Sequence, residues 1–516
     1  MSRHLKILVA AGILLGVAIL IPVIRHYQLR FAVASYIAEL KAKGEPMDLA
    51  QVIPPPTPPE QNGADVFRSA ASLINADESL SYSNYVYGMK MVAPGKAMIR
   101  WQQPDVRDRG GTNSWEDVEA AVNQNAKSFA LLHQIIDRPD FDFQIKYERG
   151  VADLVFTNMY LVESKRAAQR LETAALCDLH RGETASAVKN LRAMLALTKA
   201  LRDERFAISE LVRVAIAQIA LTVNWEILQS TNLTDEQLAE LQRDWTSLDF
   251  VRSEEDALTM ERVSGEISLA IWRNSHAGLQ RYFDIEKGAR KSMGLSGGEE
   301  TLWDKVKITT KIFLWRYWWS YPDELRSLEG YDVLINVVRL AQTNGSFQTA
   351  LQSQNAKLDK LGISKLNDEF LTIFSNDTDF HSMLSQSIVS LSAVTRNVMR
   401  VEVARQAVVT ATALKRYQLK HGNYPRDLNA LVPEFVPSVP LDPVDGQPLH
   451  YREKPDGTFL LYSVGENGKD DGGDPSLEKG VESPSFNWQN PHALDLVWPQ
   501  PATEAEIQNY YAHPPK

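Results

Sequence analysis

Two runs of closely spaced carboxylates, Glu254-Glu255-Asp256 and the set Asp137, Asp140 and Asp142, carry the residue types that general acid–base chemistry uses. They serve it only where the fold pairs two of them across a cleft, and solvated helix ends and turns collect the same residues without chemistry. A third group, Gly465-Glu466-Asn467-Gly468-Lys469-Asp470-Asp471-Gly472-Gly473-Asp474, is an acidic, glycine-rich loop. As an EF-hand it fits poorly. Asp471, Gly472 and Glu478 fall on that pattern, but Asn467 and Lys469 stand where carboxylates belong. The plainer reading is a solvated turn of the kind Gly and Asp build. Part of the same stretch is superficially like a phosphate-binding loop, yet Ser463 replaces its first Gly and Asp470 its Ser or Thr. No His-Glu-x-x-His, Gly-x-Ser-x-Gly or strand-linked Gly-x-Gly-x-x-Gly occurs, and no two His are spaced i,i+3 or i,i+4 for a helical metal site.

The chain that must position these groups has 516 residues, 55 Lys+Arg against 65 Asp+Glu, and a formal net charge of −10. That acidic balance leaves no electrostatic footprint for nucleic acid, so no nucleic-acid partner is expected. The lone Cys177 excludes an intrachain disulfide and any cluster held by several Cys. Ile7 to Ile24 is an uncharged run flanked by Arg3, Lys6 and Arg25, close to the shortest helix that spans a bilayer. It reads as a retained anchor in contact with lipid through residues 5–24. Gly12 and Gly16 share one small-residue face, as many membrane helices do. A short helix is expected from Phe31 to Lys43, and Pro54-Pro55-Pro56-Thr57-Pro58-Pro59 then reads as an extended spacer holding the body off the membrane.

From Asn62 to about Phe380 apolar residues recur at helical spacing, for example Leu161, Ala168, Leu171, Ala175 and Leu179. Ala174 to Leu201, with Gly182 at its turn, resembles one tetratricopeptide hairpin; no second copy follows in register, so a single helical hairpin is expected. Trp303, Trp315, Tyr317, Trp318, Trp319 and Tyr321 crowd one segment. Core or domain-interface packing is the first reading and a lipid-surface contact the alternative. Ile388 to Tyr417 predicts one long amphipathic helix, ended by His421-Gly422. Two strands, Leu449–Glu453 and Thr458–Val464, flank a turn at Pro455-Asp456-Gly457.

Across this last region several short motifs follow in order. They are Leu414-Lys415-Arg416-Tyr417, His421-Gly422-Asn423-Tyr424-Pro425, Leu428-x-x-Leu431-Val432-Pro433 and Pro440-Leu441-Asp442-Pro443. Asp445-Gly446-x-Pro448-Leu449-x-Tyr451 and Leu461-Tyr462-Ser463-Val464-Gly465-x-Asn467-Gly468 follow. Together they resemble the globular head of the major pseudopilin of type II secretion. The whole chain is also similar to uncharacterised membrane-anchored proteins of planctomycete-like bacteria that carry such a head. The pseudopilin leader, a Gly followed by Phe-Thr-Leu-Ile-Glu, is missing, and the helical middle separates anchor from head. The resemblance therefore implies a head fold and not a filament subunit. It also implies a Ca²⁺ site, with Asn467 and Asp495 matching the family's ligand positions and Asp470, Asp471 and Asp474 supplying further oxygens.

The expected protein is mainly α: an N-terminal transmembrane helix, a large helical domain, and a small C-terminal α+β pseudopilin-like head made of a long helix and a short antiparallel sheet. The expected boundaries are 1–30 for the anchor, 31–61 for juxtamembrane helix and spacer, 62–384 for the helical domain, 385–500 for the head and 501–516 for a tail. Basic residues on both sides of the anchor leave its orientation open. The head resemblance favours a single-pass inner-membrane protein with its bulk extracytoplasmic. The function expected is an interaction or scaffold role in the cell envelope, beside envelope or secretion proteins. The alternatives are a hydrolase using carboxylates in a cleft of the helical domain, and a tetratricopeptide-like peptide-binding scaffold.

Overall fold

The computed structural model describes residues 3–76, 85–108, 111–138, 140–150, 159–292, 302–363, 384–385, 387–481 and 487–513. The expected helical class holds, with 64% of the chain in helices and 8% in strands, so the sheets are small.

Helix α1 (Arg3–Ala42) runs unbroken through the apolar segment and on into the body. Its second half is packed. Val33 and Leu40 are buried, with Met47, against Leu328. Gly44, at φ +82°, lets the chain turn. Glu45 then bridges Arg262 (2.9 Å) and Arg339 (2.5 Å). A single helical turn, α2 (Leu49–Val52), buries Val52 beside Tyr147, Phe206 and Met260, and the Arg205 guanidinium donates to the Val52 carbonyl (2.9 Å). In the 31–61 segment, expected to be a juxtamembrane helix and a Pro-rich spacer, the part from Val33 to Val52 is thus docked on the helical body. The prolines govern its local course, but the buried side chains and ion pairs before them decide where it lies.

Helix α3 (Ala64–Ala76) leads to a hairpin of β1 (Lys90–Ala93) and β2 (Lys96–Met98), then to a second hairpin of β3 (Val106–Asp108) and β4 (Gly111–Asn113). Helices α4 (Trp115–Gln124) and α5 (Ala126–Gln134) follow, α4 capped by Ser114, whose hydroxyl accepts from the Asp117 amide (3.1 Å). The hairpin read at Ala174–Leu201 lies within α6 (Met159–His180) and α7 (Thr184–Ala200), with Gly182 at φ +78° in the turn. Helix α8 (Ala207–Leu228) packs across both α6 and α7. It is apolar around most of its circumference and so is a core helix, although by length and composition it would also suit a membrane.

Helix α9 (Asp235–Thr246) starts with a Thr234/Gln237 capping box, and α10 (Phe250–Asn274) with Asp249 accepting from the Arg252 amide (2.9 Å). Then come α11 (His276–Ser292), α12 (Leu302–Leu314), a π-helical turn (Trp315–Trp319), α13 (Ser320–Asn344), α14 (Phe347–Lys360) and α15 (Ser387–His421). Helix α15 lies against α8, α9, α10 and α13, and from Ile388 to Leu414 it is buried on nearly every side. Thr410 and Thr412 return their hydroxyls to carbonyls one turn back, and Thr395 donates its hydroxyl to Glu254 of α10 (2.7 Å), which lets polar positions enter the core. One continuous hydrophobic core runs from Ala64 to Trp498, so the expected boundary at 385 does not separate two cores.

After α15, strands β5 (His450–Glu453), β6 (Phe459–Val464) and β7 (Asp495–Val497) form an antiparallel sheet in which Val464 opposes Asp495. Strand β8 (Gln500–Pro501) joins β2 in parallel, and α16 (Glu504–Ala512) buries Ile507 against Val92 and Met98. Of the 501–516 stretch expected to be a tail, Pro501 ends β8 and Glu504–Ala512 is a helix packed against the N-terminal hairpin.

Candidate functional site

The acidic loop expected to hold a cation connects β6 to β7. Asp495, the first residue of β7, is buried and serves as an internal acceptor. Its Oδ2 takes the amides of Gly473 (2.8 Å) and Asp474 (3.1 Å), and Oδ1 that of Asp471 (3.4 Å). Burial pushes its carboxyl above the usual range, and these three amides pull the other way. Gly472 and Gly473, both with positive φ, shape the backbone that presents the amides. A Cβ on Gly473 would also meet Leu460 at 2.7 Å.

The remaining expected ligands are held locally. Asp470 accepts from the Gly472 amide (2.9 Å) and the Tyr462 hydroxyl (2.8 Å), which hold its carboxyl below the ordinary range, and lies 3.5 Å from His450 Nδ1. Asn467 accepts from the Lys469 amide and donates to Asp471 Oδ2 (both 2.9 Å); Asp474 accepts from the Ser476 amide (2.9 Å). Glu466 pairs with Arg400 of α15 (2.5 Å). The structure thus gathers Asn467, Asp470, Asp471 and Asp474 in one loop over Asp495 of β7, but their acceptors face amides and side-chain donors. Among the described residues no group of three or more His, Cys, Asp and Glu side chains is arranged to hold a metal. The amide hydrogens around Asp495 favour an anion at that position and oppose a cation, so a Ca²⁺ ion here would depend on Asp470, Asp471, Asp474, Asn467 and loop carbonyls.

Beside the loop, a cleft of about 80 Å³ lies between the β1–β2 hairpin (Met91, Gly95) and Leu477, Trp488, Asn490 and Asp495. It is far below the several hundred Å³ that ordinary small-molecule sites occupy. A second, more polar cleft of about 240 Å³ separates Gln103, Asp105 and Arg107 from Glu504, Gln508 and Tyr511 of α16. Asp105 pairs with Arg107 at 2.8 Å, and the guanidinium lies over the Tyr511 ring.

The carboxylates of the hydrolase alternative line neither cleft. Glu254 is buried, raised well above its ordinary pKa by burial, and accepts the Thr395 hydroxyl (2.7 Å). Its neighbour Glu255 turns to Arg339 (2.6 Å), and Asp256 is raised by burial. Asp137 ends a short 3₁₀ turn, Asp142 accepts from the Gln144 amide (2.7 Å), and Asp140 bridges to Asn62 through the backbone.

Periodicity gave no sign of the part played by several other acids. Buried carboxylates bind amides of segments distant in sequence. Glu226 of α8 accepts from Met89 N (2.8 Å) and Arg100 N (3.0 Å), and Glu172 of α6 from Gly88 N (2.8 Å) and the Thr222 hydroxyl (2.9 Å). Glu261 accepts from Ala207 N (3.0 Å) at the start of α8. Asp323 takes Leu384 N and Ser385 N (both 3.0 Å) just before α15, and Asp442 takes Val444 N (2.9 Å) and Val464 N (2.8 Å). Burial lifts Glu226 to about 8, Glu261 to about 7 and Asp442 to about 6. Such shifts mark active sites where a cleft reaches the group. Here they belong to acids that staple loops to the helical core. Only spacing between partners, which is too long to read from one sequence, would have revealed them.

Comparison of the chain with family models, with curated proteins and with solved structures finds no match.

Proposed function

We propose that this chain is a membrane-anchored scaffold of the cell envelope, inserted by residues 5–24 and presenting its helical body outside the cytoplasm. One observation carries this reading. Helix α1 passes without a break from a stretch with Leu20, Ile21, Val23 and Ile24 exposed into a half whose Val33 and Leu40 are buried on α13. Left in water, each such half-exposed side chain forgoes about 1 kcal/mol of burial, which a hydrocarbon environment returns. A rigid joint between anchor and body suits a scaffold better than a tethered catalyst. The long helix α15 followed by the β5–β7 sheet agrees with a pseudopilin-like unit, built here into the larger core, and supports a place beside secretion components.

A reporter enzyme fused after Lys516, active only outside the cytoplasm, tests the topology, together with carbonate extraction of membranes. Reporter activity with retention in the membrane pellet is expected. Release by carbonate would remove the anchor, and an inactive reporter on a retained protein would place the body in the cytoplasm.

A further inference from the structure

The aromatic segment around Trp315 has two faces. Trp315 is buried with Trp272, Leu279 and Ile312, and its indole N–H donates to Asp323 Oδ2 (3.1 Å). Arg316 donates twice to the Arg273 carbonyl (3.0 and 2.6 Å) and so pins the same turn. On the other face Phe313, Tyr317 and Trp318 stand 56%, 51% and 56% exposed, with the Phe313 and Tyr317 rings 4.8 Å apart. These exposed rings are not loose chain. They project from a turn whose inner side is packed and hydrogen bonded.

The position of this turn beside α1 is what gives it meaning. His26 Nδ1 lies 3.0 Å from the Tyr317 carbonyl, and its ring meets Tyr321 edge-on at 5.0 Å. His26 is two residues beyond Ile24, the last residue of the uncharged run, a distance of about 3 Å along a helix. The headgroup region of a bilayer is roughly 5–7 Å deep on each side of the hydrocarbon core. The exposed Tyr27 of α1, about 4.5 Å beyond Ile24, lies within that depth, as does exposed Arg25, and exposed Arg30 follows just beyond it. Trp and Tyr concentrate at that depth because their rings are apolar and their N–H or O–H groups need polar partners.

We propose that Phe313, Tyr317 and Trp318, with Tyr27, form an interfacial pad that rests on the lipid headgroups where α1 leaves the bilayer. The pad rests on the anchor reading and adds a second contact to it. With α1 locked to α13, two contacts fix the tilt of the body on the membrane, as one helix on a hinge does not. The flanking arginines suit anionic headgroups.

The test uses the full chain in vesicles of phosphatidylcholine and phosphatidylglycerol, with an environment-sensitive fluorophore on Trp318→Cys, Ile13→Cys or Asp456→Cys. Cys177 is buried and its thiol is pushed up to about 11, so it resists labelling. Lipids spin-labelled at the headgroup or deep in the acyl chain act as quenchers. The probe at 318 should lose fluorescence mainly to the headgroup label, the probe at 13 mainly to the deep label, and the probe at 456 to neither. Quenching at 13 without quenching at 318 overturns the pad and leaves the anchor standing. Absence of quenching at both positions overturns the anchor and the pad with it. An unquenched but blue-shifted probe at 318 would assign the face to a protein contact, a second copy included, and equally overturns the pad.

Discussion

Glu226→Ala should release the N-terminal sheet locally while leaving the helical core intact. In the native chain both carboxylate oxygens face backbone: Oε1 accepts from Met89 N (2.8 Å) and Arg100 N (3.0 Å), and Oε2 lies 3.2 Å from Arg100 N. Alanine leaves two buried amide donors without an acceptor, at about 1–3 kcal/mol each. The middle of that range, about 4 kcal/mol in total, at ~1.4 kcal/mol per factor of ten, predicts hydrogen exchange at those two amides faster by roughly 700-fold. Glu172 still holds Gly88 N (2.8 Å), so the acceleration should be confined to residues 89–101. Peptides from α6 and α7 serve as internal controls in exchange followed by mass spectrometry. Glu226→Gln keeps one carbonyl oxygen and should recover part of the protection. Unchanged exchange at Met89 and Arg100 in the alanine variant, or an equal rise throughout the chain, would refute the stapling argument.

The melting temperature should rise as pH falls from about 8.5 to 5.5. Glu226 (about 8) and Glu261 (about 7) bind protons more readily folded than unfolded. Their contribution is therefore complete below the unfolded carboxylate pKa and is lost as pH rises through the folded one. His133, lowered by burial, opposes this near its own range, and acids held down by partners, such as Asp235 beside Arg416, matter only at lower pH; a melting temperature that climbs toward alkaline pH would contradict the assignment. Titrating millimolar Ca²⁺ into the full chain should leave its melting temperature unchanged, because the amides around Asp495 disfavour a cation; a rise abolished by Asp470→Asn would show that the exposed acids of the loop bind it. Glu45→Ala removes the partner of buried Arg262, a loss of about 3–5 kcal/mol for a buried pair, and should make residues 43–61 sensitive to limited proteolysis. Resistance equal to wild type would deny that Glu45 docks this segment.

Helices were legible wherever apolar residues repeat at helical spacing, and the Gly182 turn and the strands around Pro455-Asp456-Gly457 lie within a residue or two of expectation. Boundaries between units were not. Helix α15 reads as amphipathic because its threonines count as polar, yet the hydroxyls of Thr410 and Thr412 are satisfied inside their own helix and that of Thr395 by Glu254, and the core closes around it. The stretch after Trp498 has little apolar periodicity and still pairs with a strand about four hundred residues earlier, since ladder hydrogen bonds come from the backbone, whatever the side chains.

The candidate loop shows the same division. Its composition, acidic and rich in glycine, is written in the chain, and so is the clustering of Asn467, Asp470, Asp471 and Asp474, whereas Asp495 joins them only in the fold. How the Asp495 oxygens are engaged depends on how residues 471–474 fold over it, and there they accept three backbone amides. By itself, the sequence determined the helical class, the apolar N-terminal run and the aromatic crowding near Trp315. Only the tertiary structure decided that the run continues as one rigid helix into the body, that His26 brings the aromatic turn to its end, and that the perturbed acids are staples. The physical reason is range. Hydrophobic periodicity and turn chemistry act within a few residues, whereas burial, pKa and long-range hydrogen bonds depend on partners brought together only when the chain is packed.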